Sequence, residues 1–223
     1  MIVAIDGPAG AGKSTVAKAL AGVLGVPFLD TGAMYRAITW KVLEDGFELA
    51  DAEACASLAR RTHLAFSAEG LCVDGVLRGA EIRSADVDKA VSIVAAHSGV
   101  RAAIVPLQRE MAAEAGGAVA EGRDVTTVVF PEADHRFFLS ASAEERARRR
   151  TMQRRAGEGS AGEDGAAGEG YELILAAIKR RDHLDSTRAD SPLMRGEGVS
   201  VVDTGTLEAS EVVKLMLSII KNS

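Results

Sequence analysis

The first apolar run, Ile2 to Ile5, is short and mostly β-branched, and Asp6-Gly7-Pro8 ends it; this predicts a buried strand followed by a turn. From Lys13 to Leu24 the period changes to that of a helix, with Val16, Leu20, Val23 and Leu24 on one side and Gly25 and Pro27 as the stop. Phe28-Leu29 reads as a second strand and Ala33 to Leu43 as a second helix. This β-α-β-α opening predicts a parallel sheet with helices on its faces. From His63 to Arg83 the pattern alternates instead, with turn signals at Glu69-Gly70 and Asp74-Gly75, and predicts short antiparallel strands.

Helical spacing resumes near Asp86, and a longer helix is expected over Val100 to Ala115. The chain returns to the sheet at Gly117 to Glu121 and at Arg136 to Ser140, followed by a helix over Ala143 to Arg155. Residues 156–170 are a Gly-, Ala- and acid-rich stretch, which reads as a flexible linker or as the tip of a moving lid. A helix over Tyr171 to Leu184, a strand over Val199 to Val202 and a docking helix from Ser210 complete the pattern. The expected fold is α/β: a central parallel sheet flanked by helices, an antiparallel β insert and a helical lid. Residues 1–62 and 99–223 form the core, with the lid at about 143–188, and residues 63–98 the insert.

At 223 residues and 47% hydrophobic, the chain is long enough for one domain with a subdomain. Two cysteines outside any CxxC spacing suggest reduced thiols, not a metal or disulfide framework. Without an apolar run of membrane-spanning length or a basic leader, a cytoplasmic protein is expected, with no membrane partner. The net charge of −6 argues against a general nucleic-acid binder. Yet Arg146, Arg148, Arg149, Arg150, Arg154 and Arg155 crowd one short stretch, as an anion site would require.

The sharpest chemical signal is G-x-x-x-x-G-K-S over Gly7 to Ser14, placed between a predicted strand and a predicted helix. A glycine-rich turn lets backbone N–H groups converge on phosphate oxygens, and the helix that follows points its positive end at the same spot. The candidate ATP-binding residues are therefore Gly7, Pro8, Ala9, Gly10, Ala11, Gly12, Lys13, Ser14 and Thr15. Lys13 supplies a point charge for the β- and γ-phosphates, and the Ser14 hydroxyl is a hard ligand for Mg²⁺. The loop alone leaves two classes open, a kinase or a nucleotide-hydrolysing switch. The N-K-x-D tetrapeptide of guanine-nucleotide switches is absent, whereas the many arginines suit a kinase with a second anion site.

Beyond the loop, the chain resembles the bacterial cytidylate kinases, a branch of the nucleoside monophosphate kinases. The resemblance rests on IDGPAGAGKST (5–15), LDTGAMYRA (29–37), RGAEIRS (78–84), VSIVAA (91–96), EGRDVTTVVFPEA (121–133), ERARRR (145–150) and RDHLDSTRADSPL (181–193). It implies transfer of the γ-phosphoryl of ATP to CMP or dCMP, with Mg²⁺ as cofactor and nucleotides as the only partners. A UMP or AMP kinase of the same fold and a non-catalytic nucleotide-binding protein are the rivals, and a monomer is the default.

The resemblance assigns the acceptor phosphate to Arg36, Arg123 and Arg188, and the ribose to Arg181 and Asp185. It assigns cytosine to Ser92, Arg101 and Asp124, with Thr31 and Tyr35 lining the same pocket. Planar guanidiniums grip phosphate oxygens in pairs, and a carboxylate accepts from the cytosine amino group but faces a carbonyl in uracil. Structural ion pairs compete as an explanation for the arginines. Charge neutralisation in transit falls to Lys13, Arg123, Arg148, Arg149 and Arg150. One departure stands out: Thr126 replaces a glycine usual after the GRD triplet, and a β-branched residue restricts the backbone there.

Overall fold

The computed structural model describes residues 1–67, 69–158 and 164–222. Eight strands occur among them: β1 (Ile2–Asp6), β2 (Phe28–Asp30), β3 (Leu64–Phe66), β4 (Leu71–Val73), β5 (Val76–Leu77), β6 (Ala118–Gly122), β7 (His135–Ser140) and β8 (Ser200–Asp203). The helices are α1 (Lys13–Leu24), α2 (Thr31–Glu44), α3 (Ala52–Arg61), α4 (Ala85–Val94), α5 (Ser98–Glu114), α6 (Ala143–Glu158), α7 (Asp164–Thr187) and α8 (Ala209–Lys221). Five strands form one parallel sheet in the order β2-β6-β1-β7-β8.

Alternation along β1 sends its side chains to two cores. Val3 and Ile5 join Val16, Leu20, Phe137 and Met216 under α1 and α8. Ala4 joins Ala112, Ala120 and Val125 on the opposite face, beneath α5. The order in which strands are added reverses about β1, with β2 and β6 on one side of it and β7 and β8 on the other, so a crevice opens at the carboxyl ends of these parallel strands. Asp6, Glu121 and Gly122 all sit at that end.

The antiparallel insert is the three-stranded sheet β3-β4-β5, paired Leu64 to Val73 and Cys72 to Leu77. Its apolar side does not stand alone. Leu64, Leu71, Val73 and Ile82 share one buried cluster with Met34 and Ile38 of α2, Leu58 of α3, Val94 of α4 and Ile104 of α5. Helices α6 and α7 pair through Ala147, Ile174 and Ile178.

Three local features depart from the sequence expectation. Residues Ala52–Arg61, left unassigned by the pattern, form a helix that Asp51 caps through the Ala54 amide. Helix α7 starts at Asp164, so part of the Gly/Ala-rich stretch expected to be a linker is helical. Residues 159–163 of the expected lid tip lie outside the described residues, as do the side chains of Arg154 and Arg155. Finally, the β-branched run Val125–Val129 forms a π-helical turn. No single helix among the described residues is long and apolar enough to cross a membrane.

Candidate active site

The glycine-rich turn is built as phosphate chemistry demands. Gly12, at φ 85°, occupies the left-handed region just before α1 and turns the loop into the helix. A Cβ on Gly7 would lie 2.2 Å from the Leu139 carbonyl oxygen, so β7 packs against bare backbone there. Around the turn, Arg146 donates Nη1 to the Ala9 carbonyl at 2.9 Å, and Thr204 Oγ1 lies 3.1 Å from the Ala11 carbonyl. These contacts place Pro8 to Ala11 over the first turn of α1. Lys13 is buried; its Nζ donates to the Pro8 carbonyl at 3.0 Å and lies 3.9 Å from Glu121 Oε2. Burial and the neighbouring Arg123 push the Lys13 ammonium down from its ordinary pKa, against the pull of Glu121. Thr15 is exposed on the first turn of α1 and does not line the cleft.

Ser14 Oγ donates to Glu121 Oε1 at 2.6 Å. Burial and the nearby Asp30 raise the Glu121 carboxyl, with Lys13 and Ser14 opposing them. A hydroxyl and a carboxylate side by side at the loop are the hard oxygen ligands that Mg²⁺ takes alongside nucleotide phosphates. The residues present therefore fit the ion, with Glu121 added to the single ligand expected from sequence.

Next to the loop lies a cleft of ≈ 350 Å³. Its cationic side chains outnumber its carboxylates two to one, Lys13 and seven arginines against Asp30, Glu121, Asp124 and Asp185. Arg123 joins it to the loop: Nη1 donates to the Gly7 carbonyl at 3.1 Å, while Nε donates to Asp185 Oδ2 at 2.8 Å. Asp185 also accepts from Ser92 Oγ at 2.8 Å and lies 3.9 Å from Arg181 Nε. Burial pushes the Asp185 carboxyl up, but Arg123 and Arg181 outweigh it and hold the group below the usual carboxylate range. Burial and Arg123 bring Arg181 down to about 10.

The far end of the cleft is organised by Asp124. Arg101 donates to its Oδ2 and Arg188 to its Oδ1 at 3.4 Å. Arg101 also reaches Ser191 Oγ at 3.0 Å and stacks 5.4 Å above the Tyr35 ring centroid. Burial raises the Tyr35 phenol, whose oxygen is buried without a partner. Thr31 donates to the Glu121 carbonyl at 2.7 Å, and Arg36 lines the adjoining wall. Thus Thr31, Tyr35, Arg36, Ser92, Arg101, Arg123, Asp124, Arg181, Asp185 and Arg188 converge on one cleft from five segments of the chain. Ser92 Oγ makes its hydrogen bond to Asp185, which was assigned to the ribose, and none to Asp124, its assigned companion in base reading.

Helix α6 divides the arginines more sharply than their sequence suggests. Of the three α6 arginines assigned to charge neutralisation, Arg148, Arg149 and Arg150, only Arg150 lines the cleft. Arg148 is exposed and pairs with Glu145 one turn back, at 2.7 Å. Arg149 points to the loop after β8, donating to the carbonyls of Thr204 and, at 3.2 Å, Gly205. Successive helical residues point about 100° apart, so three in a row cannot share a face. Arg146, instead, is buried and ties α6 to Ala9 and, at 2.6 Å, to Asp182 of α7.

Thr126 resolves the departure noted in the sequence. It lies outside the left-handed region, which among the described non-glycine residues holds Asp74 and Ser191. Its hydroxyl and amide donate to Asp6 Oδ2 at 2.6 and 2.7 Å, and the Val125 amide to Asp6 Oδ1 at 2.8 Å. Burial raises Asp6 to about 6, and these donors oppose the rise. Asp6 thereby fastens the turn that presents Arg123 and Asp124. The sequence analysis assigned no role to Asp6 or Glu121, and counted Arg146 in the arginine cluster without a role of its own. The signal for the first two was their position, acidic residues closing apolar strands at the carboxyl end of the sheet.

A strand, a glycine-rich P-loop and an arginine-lined cleft beside it, opening from the switch point of a parallel sheet, define the class of P-loop phosphotransferases. The family model for cytidylate kinase matches residues 3–222. A cytidylate kinase from Mycobacterium leprae (strain Br4923) is 44% identical over 221 residues, covering 99% of this chain and 96% of the relative. Another, from Rhodococcus opacus (strain B4), is 46% identical over 224 residues, covering 99% and 94%. The chain belongs to the cytidylate kinase family. An uncharacterized protein from Eubacterium ventriosum, 13% identical with a TM-score of 0.52 over 100% of this chain and 99% of its own, shares the fold alone.

Proposed function

We propose that the chain transfers the γ-phosphoryl group of ATP to the phosphate of CMP or dCMP, giving ADP and CDP or dCDP. The observation that carries this reading is Arg123, which bridges the phosphate loop at Gly7 and the second site at Asp185, so that donor and acceptor phosphates meet beside one guanidinium. The acceptor is already an anion, so no strong general base is required. Catalysis rests on positioning and on charge neutralisation. Lys13 holds the donor's terminal phosphates, and Arg123 and Arg150 face the group in transit. Arg36, Arg123 and Arg188 hold the acceptor phosphate, and Asp185 with Arg181 the ribose. Ser14 and Glu121 would hold Mg²⁺, which when bound neutralises phosphate charge.

Asp124 accepts from the cytosine amino group while Arg101 donates to the ring acceptors. Uracil at this position would set a carbonyl against the carboxylate and leave buried polar groups unpaired. The insert, residues 63–98, and the lid, about 143–188, close over the cleft and exclude water. A monomer is part of the same proposal. A cytoplasmic site of action and a place in pyrimidine nucleotide metabolism belong to the same proposal; the free thiols of Cys55 and Cys72 accord with a reducing compartment.

The test is ADP release with CMP, dCMP, UMP, AMP and no acceptor. Rapid turnover confined to the cytosine nucleotides is expected. Equal turnover of UMP or AMP removes the base assignment, and turnover without an acceptor removes the kinase reading.

A further inference from the structure

Asp88 takes no part in the reading above, yet it holds three arginines that do. It lies on α4, in the insert. Its Oδ1 accepts from Arg36 Nη2 of α2 at 2.6 Å and from Arg181 Nη1 of α7 at 3.4 Å. Its Oδ2 accepts from Arg150 Nη2 of α6 at 2.8 Å. All three guanidiniums line the cleft, while the carboxylate itself lines the adjoining pocket with Arg83 and Gln153. One carboxylate thus gathers three cations from three elements, two of them lid helices. The cluster carries a surplus of two positive charges, the complement of a phosphate dianion.

Each guanidinium gives Asp88 a single nitrogen. Arg36 Nη1 is buried with no hydrogen-bond partner, and Arg181 Nε is likewise without one, its nearest carboxylate being Asp185 at 3.9 Å, beyond hydrogen-bond reach. An unpaired buried donor is costly, and an arginine prefers to grip an oxyanion with two nitrogens. These atoms therefore point to an anion that Asp88 does not satisfy.

We infer that Asp88 is a latch in competition with the acceptor phosphate: it holds the lid helices to α4 and α2 through Arg36, Arg150 and Arg181, and lowers the affinity of the cleft for the phosphate that takes them over. The inference rests on the assignment of this wall of the cleft to the acceptor phosphate. The competition is electrostatic. A carboxylate a few ångströms from a dianion opposes its binding, and that repulsion disappears when the carboxylate becomes an amide. Asp88 acts through the arginines and is a positioning residue.

Asp88→Asn tests the latch by titration calorimetry with inorganic phosphate, CMP and cytidine at low and high salt. The variant is expected to bind phosphate and CMP about five-fold more tightly at low salt, with cytidine within about two-fold of wild type. Raising the salt narrows the gap, because the pair is partly solvated. Amide exchange in residues 143–153 and 171–187, measured without nucleotide, is expected to speed up. Asp88→Glu, which keeps the charge, is expected to stay near wild type, and Asp88→Thr repeats the test should the asparagine variant not fold. Phosphate and CMP affinities that are unchanged or weaker in the uncharged variants overturn the latch. A wild-type protein that binds phosphate but shows no preference for CMP overturns the acceptor reading instead, and leaves the comparison on phosphate intact.

Discussion

Lys13 illustrates how far a single residue was legible. Its place in Gly7–Ser14 predicts its chemistry, and the structure adds that it is buried between the Pro8 carbonyl and Glu121. Lys13→Ala is expected to lower kcat by about 10²-fold or more, by analogy with the loss of one transition-state donor, with an unchanged far-ultraviolet dichroism spectrum. Turnover close to wild type would remove the loop from the mechanism. Asp124 is the harder case, because a carboxylate in a GRD triplet has no visible partners in sequence. Only folding brings Arg101 and Arg188 onto its two oxygens. Asp124→Asn keeps the shape and some of these bonds but presents an amide. It is expected to narrow the CMP over UMP preference in kcat/KM by about ten-fold or more, the order of one buried hydrogen-bond mismatch. An unchanged ratio in a competition assay would assign base reading elsewhere. The Thr126–Asp6 contact was not legible at all, since nothing local couples residues 120 positions apart.

Helix α6 shows what the spacing within one element reveals and what it conceals. The arginine run announced a basic helix, and its period could divide the faces. Which face meets the cleft depended on α7 and on the loop at Thr204, both distant in sequence. The structure turns Arg148 to solvent and Arg150 to the cleft. Arg148→Ala is therefore expected to retain activity within about two-fold, losing only an exposed pair with Glu145. Arg150→Ala is expected to lose about 10²-fold or more in kcat, at the low end for a charge-neutralising arginine. Steady-state assays on the two variants at saturating ATP decide this, and equal losses would mean that α6 is turned differently during turnover. The run Val125–Val129 teaches the complementary lesson. Its β-branched composition favours a strand, but Asp6 takes the amides of Val125 and Thr126 and the segment closes into a π-helical turn. Tertiary hydrogen bonds overrode propensity where a site had to be shaped.

For the molecule entire, the parallel sheet was legible because buried parallel strands read as short apolar runs between helical periods. The insert's turns were legible from Glu69-Gly70 and Asp74-Gly75. Its sharing of one core with α2, α3 and α5 was not, because the pattern shows that a face is apolar without showing what covers it. Charge behaves likewise. A chain of net charge −6 gathers a cationic excess in one cleft, and only the fold reveals that concentration. This contrast makes the whole molecule a reporter of phosphate binding. CMP at about 100 times its Kd stabilises the folded state by about 2.7 kcal/mol, which for a chain of this size raises Tm by about 5–10 °C. Cytidine, without the phosphate, is expected to give a markedly smaller shift at the same concentration. Moving from about 0.02 to 0.3 M salt should shrink the CMP shift but not the cytidine shift, since only the former draws on guanidinium charges within reach of solvent ions. Thermal scans with the two ligands at both salt concentrations measure this directly. Equal shifts would mean that base and sugar contacts, not the arginines around Asp185 and Asp88, carry the binding.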